Sequence, residues 1–173
     1  MKLVLIGYMG SGKSTVGMEL ARAIGYKFID LDKHIELLED KPISEIFKEK
    51  GEIYFRKLEN RILKDLVSSE NNVLISTGGG TPCYGNTMEF LSSQEETVTI
   101  YLKTSLTVLV DRLFTEKENR PLIAHIDDKT ALIDFIRKHL FERSFYYNQA
   151  KLNIDTENAS VGRIVEKIVS NLF

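Results

Sequence analysis

"GYMGSGKS", residues 7–14, follows the mostly apolar run Lys2–Ile6 and leads straight into an amphipathic stretch at 13–24. The eight residues fit G-x-x-x-x-G-K-[ST], the phosphate-binding P-loop pattern. They also stand where the physics requires, between a strand and a helix. Glycines at 7, 10 and 12 permit backbone angles closed to other residues and let amide groups converge on phosphate oxygens. The helix N-terminus adds its dipole. Lys13 would reach the β- and γ-phosphates and Ser14 would hold Mg²⁺, with Gly10, Ser11, Gly12 and Thr15 completing the nucleotide cradle. The expected ligand is a nucleoside triphosphate with magnesium.

Outward from this loop, short β-type runs alternate with longer amphipathic ones. Lys2–Ile6, Lys27–Ile29, Val73–Ser76, Thr97–Leu102 and Leu152–Ile154 read as strands. The segment 13–24 reads as a helix with Val16, Leu20, Ala23 and Ile24 on one side. At the C-terminus Val161, Ile164, Val165, Ile168, Val169 and Leu172 keep helical spacing. Continuous apolar strands alternating with helices predict a parallel sheet covered on both faces, an α/β fold. Two regions break the alternation. Residues 32–70 hold two or three helical pieces, whose apolar sides include Leu37, Leu38, Ile43, Ile46, Phe47, Phe55, Leu58, Ile62 and Leu66. Residues 115–128, "TEKENRPLIAHIDD", are polar without a clear period, as expected for a mobile lid or a surface excursion.

The totals narrow the class. A chain of 173 residues is read as one domain, 43% hydrophobic and 28% charged, which argues against disorder. A formal charge of −2 gives no electrostatic reason to bind nucleic acid. The single cysteine, Cys83, excludes an intrachain disulfide and fits a reducing compartment. No segment reaches the roughly 20 apolar residues of a membrane helix, and the first apolar run is too short for a signal peptide. A cytoplasmic, monomeric protein is expected. The P-loop admits a small-molecule kinase, a GTPase switch or a motor. The length disfavours a motor, and no N-K-x-D guanine-reading motif is present.

Three further stretches bear on an acceptor. "IDLDKHIE", residues 29–36, places Asp30 and Asp32 where an apolar run meets a helix-like one. "GEIYFRKLE", residues 51–59, sets Arg56 and Glu59 on one helical face, which by itself reads as a surface ion pair. "STGGGTP", residues 76–82, puts three glycines after a strand and lets something approach the backbone closely. Ligands of open α/β sheets bind beyond the carboxyl ends of the strands, so these stretches and the P-loop should converge.

The set "GYMGSGKST", "FIDLDKHIE", "GEIYFRKLE", "STGGG", "NRPLI" and "ERSFYYNQA", spanning residues 7–150 in order, resembles the shikimate kinase family. The resemblance implies a three-layer P-loop kinase fold with a five-stranded parallel sheet of order 2-3-1-4-5. It implies phosphorylation of the 3-hydroxyl of shikimate by MgATP, in aromatic amino acid and chorismate biosynthesis. It also implies roles. Asp32 would bind shikimate hydroxyls, and Asp30 would hold magnesium through water. Arg56 and Arg143 would clamp the carboxylate, with Glu59 orienting Arg56. Gly78, Gly79 and Gly80 would line the acceptor, Gly79 offering its N–H. Arg120 would descend with the lid onto the phosphates, and Arg112 stands near where the family places an arginine against adenine. "DTENAS", residues 155–160, lacks the basic and proline residues the family often carries near adenine, so adenine contacts there would be backbone-mediated or weaker and the base preference stays open.

On this reading Lys13, Mg²⁺ and Arg120 stabilise the transferred group and Asp32 orients the attacking hydroxyl. Rival readings are a kinase of another hydroxy acid, such as gluconate, and a non-catalytic nucleotide-binding regulator. Cys83 is expected to be incidental. His34, His125 and His139 lack metal-type spacing. Tyr8 and Met9 are read as packing residues, and "FYY" at 145–147 as helix-to-core packing.

Overall fold

The computed structural model describes residues 1–120 and 122–173; of Asn119 it describes the backbone only. Pro121, inside the lid motif, lies outside the described residues. Five strands form one parallel sheet: β1 (Lys2–Ile6), β2 (Lys27–Asp30), β3 (Val73–Ser76), β4 (Thr97–Lys103) and β5 (Leu152–Asp155), in the order β2-β3-β1-β4-β5. Each begins where the apolar runs predict, and β2, β4 and β5 continue one residue further.

The strands alternate between two cores. Val4, Ile6, Ile29, Ile75 and Tyr101 face one side, and Leu3, Leu5, Leu74, Ile100, Leu102 and Ile154 the other. This is why the central strands β1 and β3 read as nearly continuous apolar runs: both of their faces are covered. The second core is closed by α1 (Lys13–Ile24) and α7 (Val161–Leu172), which pack together. The first is closed by α2 (Leu31–Glu39), α3 (Ile43–Ser69), α4 (Thr87–Ser93), α5 (Leu106–Glu116) and α6 (Lys129–Tyr147). No helix of the described residues is long and apolar enough to cross a membrane.

The buried face of α1 is Val16, Gly17, Leu20 and Ala21, so Ala23 is exposed, contrary to the spacing argument. Gly17 makes the close approach of α1 possible. A Cβ there would lie 2.7 Å from Phe28 Cε2 and 3.1 Å from Leu5 and Leu74.

The region between β2 and β3 is helical, as expected. It holds α2 and then α3, which is broken at Gly51 (φ 80°, ψ 171°) into two pieces. Leu37 and Leu38 do not pack here: they are 80% and 61% exposed, and the buried face of α2 is Leu31 and Ile35.

The described residues of 115–128 hold more regular structure than their composition suggests. α5 runs on to Glu116, a 3₁₀ turn spans Lys117–Asn119, Ile123 is fully buried, and Asp128 caps α6 through the Ala131 N–H at 2.9 Å. A single buried isoleucine has no periodicity to announce it.

Register fixes where the functional segments meet. Asp30 pairs with Ser76, and Ser76 with Leu5. The carboxyl ends of β2, β3 and β1 are therefore level, and the segments that leave them emerge side by side. Thr77 ties this edge together: its N–H and Oγ1 donate to Leu5 O at 3.1 and 2.9 Å.

Candidate active site

The donor side is a local structure. Gly10 and Gly12 adopt positive φ values of 77° and 90°, which let the loop turn into α1 without a Cβ penalty. Side chains accept from the first turns of α2, α5, α6 and α7, whereas α1 has no side-chain cap and no acidic residue in its first turn. Its leading N–H groups are open to an anion. Lys13 is buried with its ammonium donating to Gly7 O at 2.8 Å and Tyr8 O at 2.9 Å. Burial pulls its pKa down to about 8; Asp32 and Asp30 oppose the shift, and Arg120 and Arg143 reinforce it. Four separated groups of the expected set therefore act on one ammonium. Arg112 reaches the loop as well, donating to Gly10 O at 3.0 Å.

The two aspartates of the strand-to-helix junction have different tasks. Asp30 closes β2 and caps α2: Oδ1 accepts from Lys33 N at 3.3 Å and Oδ2 from Ser14 Oγ at 2.7 Å. Asp32 lies in the first turn of α2 and faces the glycine segment. A Cβ on Gly78 would be 3.0 Å from Asp32 Oδ1 and 3.1 Å from Glu59 Oε1. Burial, then the neighbouring carboxylates of Glu59 and Asp30, push Asp32 up to about 6, while Lys13 opposes them.

Arg56 and Glu59 are not a surface pair. Glu59 is 2% exposed; its Oε2 accepts from Arg56 Nη1 at 3.0 Å and its Oε1 from Thr81 Oγ1 at 2.5 Å. The isolated motif lacks the tertiary information that buries it. The Arg56 guanidinium stacks 4.1 Å from the Tyr84 ring, and its buried Nε makes no hydrogen bond among the described residues. Gly80 is pressed against this guanidinium: a Cβ would lie 2.8 Å from Nη2. Gly79 is pressed against the P-loop, with a Cβ 3.0 Å from Met9 N. Arg143, on α6, is half-buried with its guanidinium 5.6 Å from the Tyr8 ring. It forms no ion pair among the described residues. Arg143 and Arg56 both act on Cys83, whose thiol burial lifts to about 11, so that cysteine is no nucleophile.

Arg120, partly exposed, pairs with Glu116, its Nη2 2.8 Å from Oε2. Ser11 Oγ is buried without a partner among the described residues. Thr15 is exposed on α1. Sequence reasoning missed Thr81 and Tyr84, and it took Tyr147 only as packing. Tyr147 is buried and stacked 5.1 Å from Tyr101, but it also donates to Gly79 O at 2.6 Å. Phe145, two positions earlier, is exposed. No local pattern distinguishes these roles.

A P-loop on a 2-3-1-4-5 parallel sheet, with a carboxylate and two guanidinium groups gathered beside its lysine, defines a P-loop kinase of a small acidic acceptor. Comparison with known proteins narrows the class. The sequence model of shikimate kinase matches residues 9–173. The chain is 44% identical over 171 residues to the shikimate kinase of Flavobacterium johnsoniae, covering 99% of this chain and 98% of that one. It is similar to the crystal structure of shikimate kinase from Bacteroides thetaiotaomicron, with a TM-score of 0.90, 35% identity, and 99% and 98% of the two chains covered. It is also similar to shikimate kinase from Acinetobacter baumannii in complex with shikimate, with a TM-score of 0.85, 29% identity, and 99% and 92% covered. The chain belongs to the shikimate kinase family. A gluconokinase from Sinorhizobium meliloti, at 19% identity and a TM-score of 0.58, shares the fold alone.

Proposed function

We propose that this chain transfers the γ-phosphoryl group of MgATP to the 3-hydroxyl of shikimate, giving shikimate 3-phosphate and ADP, within aromatic amino acid biosynthesis. The observation that carries the reading is the meeting of Asp32, Arg56 and Arg143 around the glycine segment beside Lys13. An acceptor suited to that place carries a carboxylate for the guanidinium groups and hydroxyls for the aspartate.

Phosphoryl transfer asks chiefly for alignment and for neutralisation of charge. The N–H groups leading into α1 hold the phosphates. On binding, Lys13 exchanges the carbonyls of Gly7 and Tyr8 for phosphate oxygens, and their charge reverses the depression of its pKa. Arg120 leaves Glu116 and follows the lid, residues 115–128, onto the nucleotide. Asp32 accepts a hydrogen bond from the attacking hydroxyl and aims its lone pair at the γ-phosphorus. The metal site fits Mg²⁺: Ser14 Oγ and Asp30 Oδ2 are hard oxygen donors 2.7 Å apart beside the cradle. Ser14 would hold the ion directly and Asp30 through water, and the ion would neutralise charge on the β- and γ-phosphates. Arg112 donates to Gly10 O of the P-loop, which supports a contact with the nucleotide. The single cysteine supports a cytoplasmic site of action, and the enzyme is proposed to act as a monomer.

ADP release from MgATP, measured with shikimate and with gluconate in separate reactions, tests the proposal. Release with shikimate alone is expected. Release with gluconate alone overturns the acceptor, and silence with both overturns the activity.

A further inference from the structure

The three consecutive glycines raise a problem that they cannot solve themselves. Glycine backbones have many accessible conformations, yet this segment must present fixed N–H groups to the acceptor. Two of its carbonyls are held by the chain just beyond. Gly78 O accepts from Thr81 N at 3.3 Å, and Gly80 O from Cys83 N at 2.9 Å. The middle carbonyl, Gly79 O, is held from 68 residues away by the Tyr147 hydroxyl at 2.6 Å. The phenol is well placed to act as an anchor. Its ring is fully buried and stacked on Tyr101 of β4 at 5.1 Å and 29°. Burial raises its pKa far above the usual value, so the hydroxyl keeps its proton and always donates.

The peptide unit is planar and trans, so the direction of a carbonyl fixes that of the next N–H, which points the opposite way. Holding Gly79 O therefore aims the N–H of Gly80. That N–H and the N–H of Gly79 have no acceptor among the described residues, and Gly80 lies directly against the Arg56 guanidinium. Arg143 is one helical turn before Tyr147 on α6 and acts on the same phenol. One side chain thus touches the backbone of the glycine segment and neighbours the second guanidinium.

We propose that Tyr147 is a positioning residue for the acceptor: its hydroxyl sets the plane of the Gly79–Gly80 peptide and so directs the Gly80 N–H, beside Arg56, toward the acceptor's carboxylate. This rests on the shikimate kinase reading above. A phenylalanine would fill the same volume and keep the stack on Tyr101. The hydroxyl is what the site needs.

The test is Tyr147→Phe, with KM for shikimate, KM for ATP and thermal stability measured beside the wild type. The expected result is a rise of about tenfold in KM for shikimate with KM for ATP within about twofold. An unchanged KM for shikimate, or equal rises for both substrates, overturns the proposal, because a merely structural hydroxyl would not discriminate between them. Should Y147F fail to fold, Tyr101→Leu removes the ring against which Tyr147 is stacked, so the phenol is no longer held and its bond to Gly79 O is loosened. The same acceptor-specific rise supports the proposal, and its absence overturns it. If wild-type enzyme releases no ADP with shikimate, the functional reading itself has failed, which is a separate outcome.

Discussion

The proposed donor and acceptor halves of this site are built in opposite ways. The phosphate cradle is one stretch, residues 7–14, whose shape follows from its glycines and the helix they open. The acceptor half gathers Asp32 from α2, Arg56 and Glu59 from α3, the loop after β3, and Arg143 and Tyr147 from α6. A local site needs only its own backbone. A dispersed one needs the sheet register that levels three strand ends and a buried carboxylate that fixes a guanidinium. The first half should therefore fail by losing rate, and the second by losing acceptor affinity or fold.

Substitutions can break that comparison. Lys13→Ala should lower kcat by about a thousandfold while shikimate binding, followed by calorimetry, stays within about twofold. A comparable loss of shikimate affinity would show that the halves are not separable. Arg120→Ala should lower kcat by about a hundredfold with an unchanged melting temperature, because the side chain, partly exposed, is bonded only to Glu116 among the described residues. Near-normal turnover would remove it from the lid's chemistry.

On the acceptor side, Arg56→Lys should raise KM for shikimate by about ten- to a hundredfold and leave KM for ATP alone. An ammonium cannot bridge Glu59 and a second carboxylate as a planar guanidinium can. Steady-state kinetics with each substrate varied decides this.

Two smaller effects sharpen the contrast through stability. Gly17→Ala should cost about 1–3 kcal/mol, read from denaturant unfolding, because Phe28, Leu5 and Leu74 leave no room for a Cβ. Asp32→Asn should stabilise the fold by about 1–3 kcal/mol at neutral pH. The folded-state pKa of Asp32 is raised from 3.8 to about 6, so between those values the folded protein binds more protons than the unfolded one. Its contribution is therefore fully present below pH 3.8 and lost as pH rises through 6. The advantage of the asparagine variant should appear above that window and vanish below it. The same group should give wild-type kcat/KM an acidic limb near pH 6, falling as Asp32 takes up its proton.

Much of the fold was legible because both faces of the central strands β1 and β3 are covered, which turns them into nearly unbroken apolar runs. The errors came where helical spacing had to choose a face. Ala23 and Ala21 both fit the period of α1, and only the sheet beneath selected Ala21. Leu37 and Leu38 are apolar yet exposed, since α2 packs through Leu31 and Ile35. For the site, residue types and spacing named the P-loop, the paired aspartates and the glycine triplet. They left Arg56 and Glu59 as a surface pair and Tyr147 as filler, because burial and a bond spanning 68 residues have no local signature.

The sequence by itself determined the phosphate cradle, the five strands and, through its resemblance, the family. Those properties rest on contiguous residues whose backbone angles and periodicity are set by near neighbours. Only the tertiary structure decided that Glu59 is buried with Arg56, that the three glycines are pinned at Gly79 by Tyr147, and that Asp30 and Asp32 divide between a helix cap and the glycine segment. Each of these depends on which strand ends are level and which helix lies over them, and no stretch of chain carries that information alone.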